Sequence, residues 1–335
     1  MRNARLVLAV FAFASCGGDR SGILPHAVAS LATHTSAPQH KSQVLFVVTQ
    51  GSGPSAILEF PVTAKGNAAP ALEIAGTKTQ LDNPLRVALD SNGTIYAGTD
   101  NPSAIVLAFS PAAHGNVKPI HVLTGSATQL PEQLEGLYVD KKGAIWVSGW
   151  TRSSSSATTG TVTAYEARAS GNVAPFEGLA FGGGTIPLSI ATDGAGKIFV
   201  GLNTGSILVY ARGASGTTTK PLYTIGGSNT GLSSMPLDMV FDGRGRLIVA
   251  TGRGVAAFAR GAKGNARPVN AFATNGTPGG VAVDDAGDIY VADQTVSGWA
   301  IDVYAPNARG GKPHPLREIS GVKTGFDDIL GVAIR

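Results

Sequence analysis

The sequence predicts an all-β fold in which six sheets of four antiparallel strands close into a ring. Three observations predict it. One strand pattern recurs six times, five of the copies lead into the same turn and further strand patterns, and the two chain ends carry complementary parts of one copy. Repeats that cannot bury both faces alone must stack to build a core. Complementary ends favour closure, because closure removes open sheet edges. Such a ring is a six-bladed β-propeller.

The first strand of each copy ends in Asp: Arg86–Asp90, Gly136–Asp140, Ser189–Asp193, Asp238–Asp242 and Gly280–Asp284, with a sixth copy at Gly331–Arg335. Three residues after each Asp stands Gly93, Gly143, Gly196, Gly245 or Gly287. The Asp side chain can cap a tight turn and Gly can adopt positive φ, so this spacing predicts a hairpin. A second strand follows, usually with an aromatic residue, as at Tyr96, Trp146, Phe199 and Tyr290; its first copy is Leu45–Phe46. The third strand ends at Phe60, Phe109, Tyr165, Tyr210, Phe258 or Tyr304. Gly-Asn turns such as Gly66–Asn67 and Gly115–Asn116 come next, and then a Pro that opens a fourth strand, as at Pro70, Pro119 and Pro175. Pro suits the first position of an outer edge strand.

Residues 42–335 number 294, or 49 for each of six repeats, which suits a four-stranded blade. The chain enters on a second strand, Val44–Val48, and leaves on a first strand, Gly331–Ile334. These halves are expected to pair and close the ring. The 45 glycines and a charged fraction of only 14% agree with many short strands joined by tight turns.

The formal net charge is +4. Without Arg2 and Arg5, 24 of the 26 basic residues remain against 22 acidic ones, so the body is near +2. That balance argues against nucleic acid as a partner. The single cysteine, Cys16, leaves no disulfide within one chain and no Cys-based metal site.

The N-terminus reads as an export signal. Arg2 and Arg5 precede the apolar stretch Leu6–Phe13, which is too short to span a bilayer. The segment Phe13–Cys16 resembles a lipobox, with Phe13 where Leu is usual, which implies diacylation of Cys16. Gly17 rather than Asp after Cys16 implies outer-membrane sorting in a diderm host. The alternative is an ordinary secretory signal. Residues 1–16 are therefore assigned to the signal, 17–41 to a flexible Gly/Ser/Thr/Ala tether and 42–335 to the propeller. The lipid would be the only membrane contact, and a monomer is expected.

The complete copy Gly280–Ala292 runs Gly-Val-Ala-Val-Asp-x-x-Gly-x-Ile-Tyr-Val-Ala. It resembles the NHL repeat and the wider group that contains the gluconolactonases, over nearly all of 42–335. The resemblance implies that the first strands line a central channel and that ligands meet the face where those strands begin. It speaks to fold and not to function, since the same architecture serves many chemistries.

Internal comparison singles out the residues at that mouth. Gly136, Gly280 and Gly331 share a position that Arg86, Ser189 and Asp238 occupy in the other copies, and Glu135 replaces a Leu one residue earlier. Blade packing does not call for charge there, so Arg86, Glu135, Asp238 and Ser189 are binding candidates. An ion pair of Arg86 with Glu135 or Asp238 across the channel is the structural alternative. The loops joining second to third strands add Asp100, Trp150, Arg152, Asn203, Arg253, Asp293 and Trp299, with Trp150 and Arg152 in the long loop Ser148–Gly160. Exposed Trp and Arg are frequent anchors of binding surfaces. The Asp-x-x-Gly turns, on the opposite face, read as turns only, and Lys65, Lys263, Arg309 and Lys312 there as a solvated basic rim.

Two functions follow. The first is a non-catalytic scaffold displayed at the cell envelope, binding a small molecule, glycan or envelope protein, with no cofactor. The second follows from the resemblance: gluconolactonases hold a divalent cation such as Ca2+ with Glu, Asn and Asp at the mouth. Glu135-Gly136-Leu137 is similar to their Glu-Gly-Pro motif, and Asn203 and Asp238 would add oxygen ligands. Leu137 replaces the Pro, and Arg86 would repel the cation. A zinc lyase of this fold needs several channel His residues, which His114, His121 and His314 do not supply.

Overall fold

The computed structural model describes residues 43–100, 103–152 and 157–335; the signal, the tether and Cys16 lie outside them. Short, largely apolar runs bounded by Gly turns give 24 strands among the described residues, many of them buried along their whole length. The chain enters on β1 (Val44–Thr49), β2 (Ala56–Pro61) and β3 (Leu72–Ala75). Blade 1 follows as β4 (Pro84–Leu89), β5 (Ile95–Thr99), β6 (Ile105–Phe109) and β7 (His121–Leu123). Blade 2 is β8 (Gln133–Val139), β9 (Ile145–Arg152), β10 (Thr158–Tyr165) and β11 (Glu177–Phe181). Blade 3 is β12 (Pro187–Thr192), β13 (Ile198–Leu202), β14 (Ser206–Tyr210) and β15 (Tyr223–Gly226). Blade 4 is β16 (Pro236–Phe241), β17 (Leu247–Thr251), β18 (Gly254–Phe258) and β19 (Asn270–Phe272). Blade 5 is β20 (Thr277–Val283), β21 (Ile289–Thr295), β22 (Gly298–Tyr304) and β23 (Arg317–Ser320), and the chain ends on β24 (Val332–Ile334).

All six sheets are antiparallel meanders, and the sixth has the order β24-β1-β2-β3. The two chain ends pair as the sequence predicts, with Leu45 opposite Ile334, Phe46 opposite Ala333 and Val47 opposite Val332. Backbone bonds between Val44 and Arg335 extend this closure in both directions, at 2.9 and 3.0 Å. The aromatic residues of the second and third strands fill the seams between blades. Phe109, Tyr290 and Tyr304 are fully buried there, each contributing about 1.5–3 kcal/mol of apolar burial.

The prolines depart from expectation. Each fourth strand begins two residues after its Pro, at Leu72, His121, Glu177, Tyr223, Asn270 or Arg317. Pro has no N–H for the ladder, so the first bond to the third strand comes from the residue after it, as in Ile120 N–H to the Ala108 carbonyl at 2.7 Å.

The Gly-Asn turns also do more than reverse the chain. Each latches onto the outer strand of the preceding blade. Gly115 donates to the Glu73 carbonyl at 2.6 Å, and Asn116 Oδ1 accepts the Lys78 N–H at 2.7 Å. Asn67, Asn172 and Asn265 repeat the bond with Lys323, Ala127 and Asn229, each at 2.7 Å. The gripped segments share a Gly-x-x-Thr pattern whose Thr hydroxyl donates back to the Gly carbonyl, as from Thr230 to Gly227 at 2.7 Å. Gly227 has φ of 123°, and a Cβ on it would lie 2.6 Å from Asn265 Oδ1, so only Gly fits under the latch. Asn265→Ala is expected to cost about 1 kcal/mol by removing one bond between blades, measured by chemical denaturation.

Candidate functional site

The first strands converge on the ring axis. Five of them carry a register shift at their start, between Pro84/Arg86, Leu134/Gly136, Pro187/Ser189, Pro236/Asp238 and Pro278/Gly280. Such bulges turn backbone groups out of the ladder. Carbonyls at three of these steps, together with that of Leu330, are collected by one side chain. Arg86 Nε donates to the Glu135 carbonyl at 2.7 Å. Its Nη1 donates to Leu330 at 2.9 Å and to Leu85 at 3.3 Å. Its Nη2 reaches Leu237, on the opposite side of the six-membered ring, at 3.4 Å. The buried guanidinium thus ties blades 1, 2, 4 and 6 and closes the mouth. Beyond it lies a channel cavity of about 160 Å3, walled by aliphatic side chains such as Leu137, Ile190, Met239 and Val281.

Two of the other three mouth candidates, Ser189 and Asp238, are seam ties as well. Ser189 Oγ donates to the Pro236 carbonyl of blade 4 at 2.8 Å. Asp238 accepts the N–H of Val281 in blade 5 at 2.9 Å and that of its own neighbour Met239 at 2.9 Å. Desolvation raises the Asp238 pKa, against the opposing charge of Arg86 and these two N–H donors. Desolvation also raises that of Glu135, against Arg86 and the Trp150 indole. The ion pair expected as the alternative for Arg86 is not formed. The direct ion pairs among the described residues are Arg246–Asp242 and Arg317–Asp288; the guanidinium prefers carbonyls, and the carboxylates act on it through space.

The rim residues divide. Trp150 Nε1 donates to Glu135 Oε1 at 3.0 Å, and the Arg152 guanidinium stacks 5.6 Å from the centre of the Trp150 ring. Glu132 accepts the Arg152 N–H at 3.0 Å. The expected loop Ser148–Gly160 is largely an extended hairpin, with Arg152 paired to Thr158 and Trp150 to Gly160. Asp293 and Trp299 also sit on strands, since β21 and β22 continue to Thr295 and Gly298. Trp299 packs against the core between blades 5 and 6.

Asp100, Asn203 and Asp293 clamp the loops that enter their own first strands. Asp100 accepts from Asn83 at 2.6 Å, Asn203 from the Ile186 N–H at 3.0 Å, and Asp293 from the Gly276 N–H at 2.7 Å. Short polar side chains commonly hold loops this way. Burial raises the pKa of Asp100 and of Asp293. Arg253 is exposed, and its side chain makes no hydrogen bond or ion pair among the described residues. The structure therefore joins Arg86, Glu135, Asp238, Trp150 and Arg152 into one region and leaves the remaining candidates in separate local roles.

The cation implied by the resemblance does not fit. Arg86 already holds a positive charge at the mouth, and Glu135, Asn203 and Asp238 each serve another partner. Among the described residues no group of three or more His, Cys, Asp or Glu is arranged to hold a metal ion.

The larger concavity lies on the opposite face, where only turns were expected. It measures about 880 Å3 and follows the seam between blades 3 and 4, with Lys197, Arg244 and Arg260 among its walls. The signal was available in the turn residues: Gly194–Ala195, Gly243 and Ala286 are small where blades 1 and 2 carry Ser91–Asn92 and Lys141–Lys142.

No protein-family model matches the chain, and no curated protein matches it. Solved structures do. A protein of unknown function from Bacteroides caccae superposes with a TM-score of 0.57 at 13% identity, over 88% of this chain and 98% of that one. An aldose sugar dehydrogenase from Streptomyces coelicolor, in its PQQ-bound form, has a TM-score of 0.48 at 14% identity, over 80% of this chain and all of the other. At such identities the likeness concerns the fold: the chain is a six-bladed β-propeller, all-β, with four antiparallel strands in each blade.

Proposed function

We propose that this propeller is a non-catalytic binding scaffold of the NHL type, presenting its channel-mouth face to a small molecule, glycan or envelope protein. One observation carries the reading. The charges at the mouth are spent on holding the ring, because Arg86 caps carbonyls of four blades and Asp238 bridges blades 4 and 5. A rigid, closed mouth suits recognition better than general acid–base work, which needs a group free to move a proton. Beside it the blade 2 hairpin offers Trp150 with Arg152 stacked upon it, the residue types that anchor binding surfaces. The repeat Gly280–Ala292 supports the NHL assignment, and the stretch Arg2–Cys16 supports export with a lipid on Cys16.

Two experiments test this. Binding to a panel of glycans and peptides should be saturable for the wild type and weaker by about tenfold or more for Trp150→Ala, with circular dichroism showing the variant still folded at the assay temperature. Turnover of lactones that depends on both Glu135 and Asp238 would overturn the reading. For the anchor, cells expressing the full chain should incorporate labelled fatty acid, and Cys16→Ala should abolish the label; equal labelling of both would exclude Cys16 as the site.

A further inference from the structure

The face opposite the mouth carries a second site, and its outline follows from comparing the seams between blades. Three seams on this face are closed by an arginine. Arg246 of blade 4 donates to the Pro306 carbonyl of blade 5 at 3.1 and 3.2 Å while paired with Asp242. Arg317 of blade 5 donates to the Val62 carbonyl at 3.1 Å. Arg335 donates to the carbonyls of Gly93 and Pro111 in blade 1, both at 3.2 Å, and stacks over Phe46.

The seam between blades 3 and 4 is built differently. Lys197 holds the repeat position of Arg246, four residues after the turn Asp, and Arg260 holds that of Pro306, two residues after the third strand. Lys197 therefore stands where Arg246 reaches a backbone carbonyl across its seam, and Arg260, in place of Pro306, adds a second cation beside that position. Neither side chain makes a hydrogen bond or ion pair among the described residues, and the same holds for Arg244 and Lys141. In place of a clasp there is the cavity of about 880 Å3, a volume typical of ligand sites.

The acids on the cavity wall are mostly answered by their own turns. Asp193 accepts the N–H groups of Ala195 and Lys197, each at 2.9 Å. Asp242 accepts those of Arg244 and Arg246 and the Arg246 guanidinium. Asp284 accepts the Asp288 N–H and the Tyr290 hydroxyl. Asp285 at the rim is the carboxylate left exposed. The wall holds five cations, Lys141, Lys197, Arg244, Arg246 and Arg260, against four carboxylates, a net excess of one positive charge; the carboxylate oxygens of Asp193, Asp242 and Asp284 are taken up by their turns, while four of the cations keep free donors that an anionic ligand can use. Its floor is half-buried aromatic surface, from Tyr138, Tyr223 and Phe241. Aromatic faces take up the C–H faces of sugar rings, and unpaired guanidinium and ammonium groups take up carboxylates.

We propose that this cavity binds an acidic saccharide of a few residues, its carboxylates on Lys197, Arg244 and Arg260 and its rings on Tyr138, Tyr223 and Phe241. The site is independent of the channel-mouth reading, because it shares no residue with the mouth and lies on the other face.

The test is calorimetric titration of the full chain with trigalacturonate at low salt, with neutral maltotriose and inorganic triphosphate as comparison probes. Trigalacturonate should bind and maltotriose should not. Lys197→Gln/Arg260→Gln should weaken binding by about tenfold or more, and Trp150→Ala should leave it unchanged. Lys197 is half-buried and Arg260 exposed, so circular dichroism should show both variants folded; if the double variant is not, Arg244→Gln alone, on an exposed turn, should still weaken binding. Three results would overturn the proposal: no binding of trigalacturonate, undiminished binding by the folded charge variants, or tighter binding of triphosphate than of the saccharide.

Discussion

Replacing Arg86 by alanine is expected to lower stability by about 3–5 kcal/mol, more than any other single substitution at the channel mouth. The guanidinium is the shared donor for carbonyls of Leu85, Glu135, Leu237 and Leu330. Its removal leaves those carbonyls facing one another and takes away the charge that opposes the raised pKa values of Asp238 and Glu135. The melting temperature should fall by roughly 5–15 °C. Arg86→Lys should recover only part of the loss, because one ammonium group cannot reach acceptors spread over four blades. Millimolar guanidinium should raise the melting temperature of Arg86→Ala and leave the wild type unchanged, since the free ion can refill the space. A loss below about 1 kcal/mol would mean that the carbonyls are satisfied without Arg86, and the mouth would then not be a cation-capped ring.

Asp302→Asn should stabilise the protein, and the gain should depend on pH. Asp302 lies fully buried on β22, with its Oδ2 held by Asn275 at 2.8 Å and Tyr304 at 3.2 Å, while its Oδ1 has no protein partner. Burial, reinforced by the neighbouring charges of Asp293 and Glu318, lifts its pKa to about 6. A carboxyl that holds its proton more tightly when folded stabilises the fold most at low pH. That stabilisation is complete below the unfolded value near 3.8 and is lost as pH rises to about 6. The lifted pKa corresponds to about 3 kcal/mol at most, and solvent screening reduces it to about 1–2 kcal/mol. The asparagine keeps its oxygen on Asn275 and Tyr304 and carries no charge. Its melting temperature should exceed the wild type's by a few degrees at pH 7.5, and the difference should vanish near pH 4. A constant difference across this range would show that Asp302 does not titrate as described.

Much of the fold was legible because its determinants are local and repeated. Asp at a strand end, Gly three residues on and an aromatic in the next strand specify a hairpin and a buried seam without reference to distant residues. Closure could be read from the two incomplete ends, Val44–Val48 and Gly331–Ile334. The mouth was legible only as a departure from the repeat. The sequence marks Arg86, Glu135 and Asp238 as unusual, but the partners of Arg86 and Asp238 across the ring are backbone groups of other blades, which carry no signature of their own. The same limit applies to Asn265, which reads as a turn residue although its side chain binds the preceding blade. Asp100, Asn203 and Asp293 were marked as rim groups for their polarity, yet each is consumed by a loop of its own blade. The cavity at Lys197 and Arg260 was hidden for the opposite reason. Each residue is ordinary within its turn, and only its pairing across a seam leaves a charge unanswered.

A resident guanidinium, and not a divalent ion, organises the channel mouth. The most direct measurement of this is the metal content of the purified full chain together with its melting temperature in calcium and in chelator. No stoichiometric metal and the same melting temperature in both are expected. A bound divalent ion with a calcium-dependent rise, abolished by Glu135→Ala or Asp238→Ala, would contradict this and restore the metal-dependent hydrolase as the better reading of this propeller.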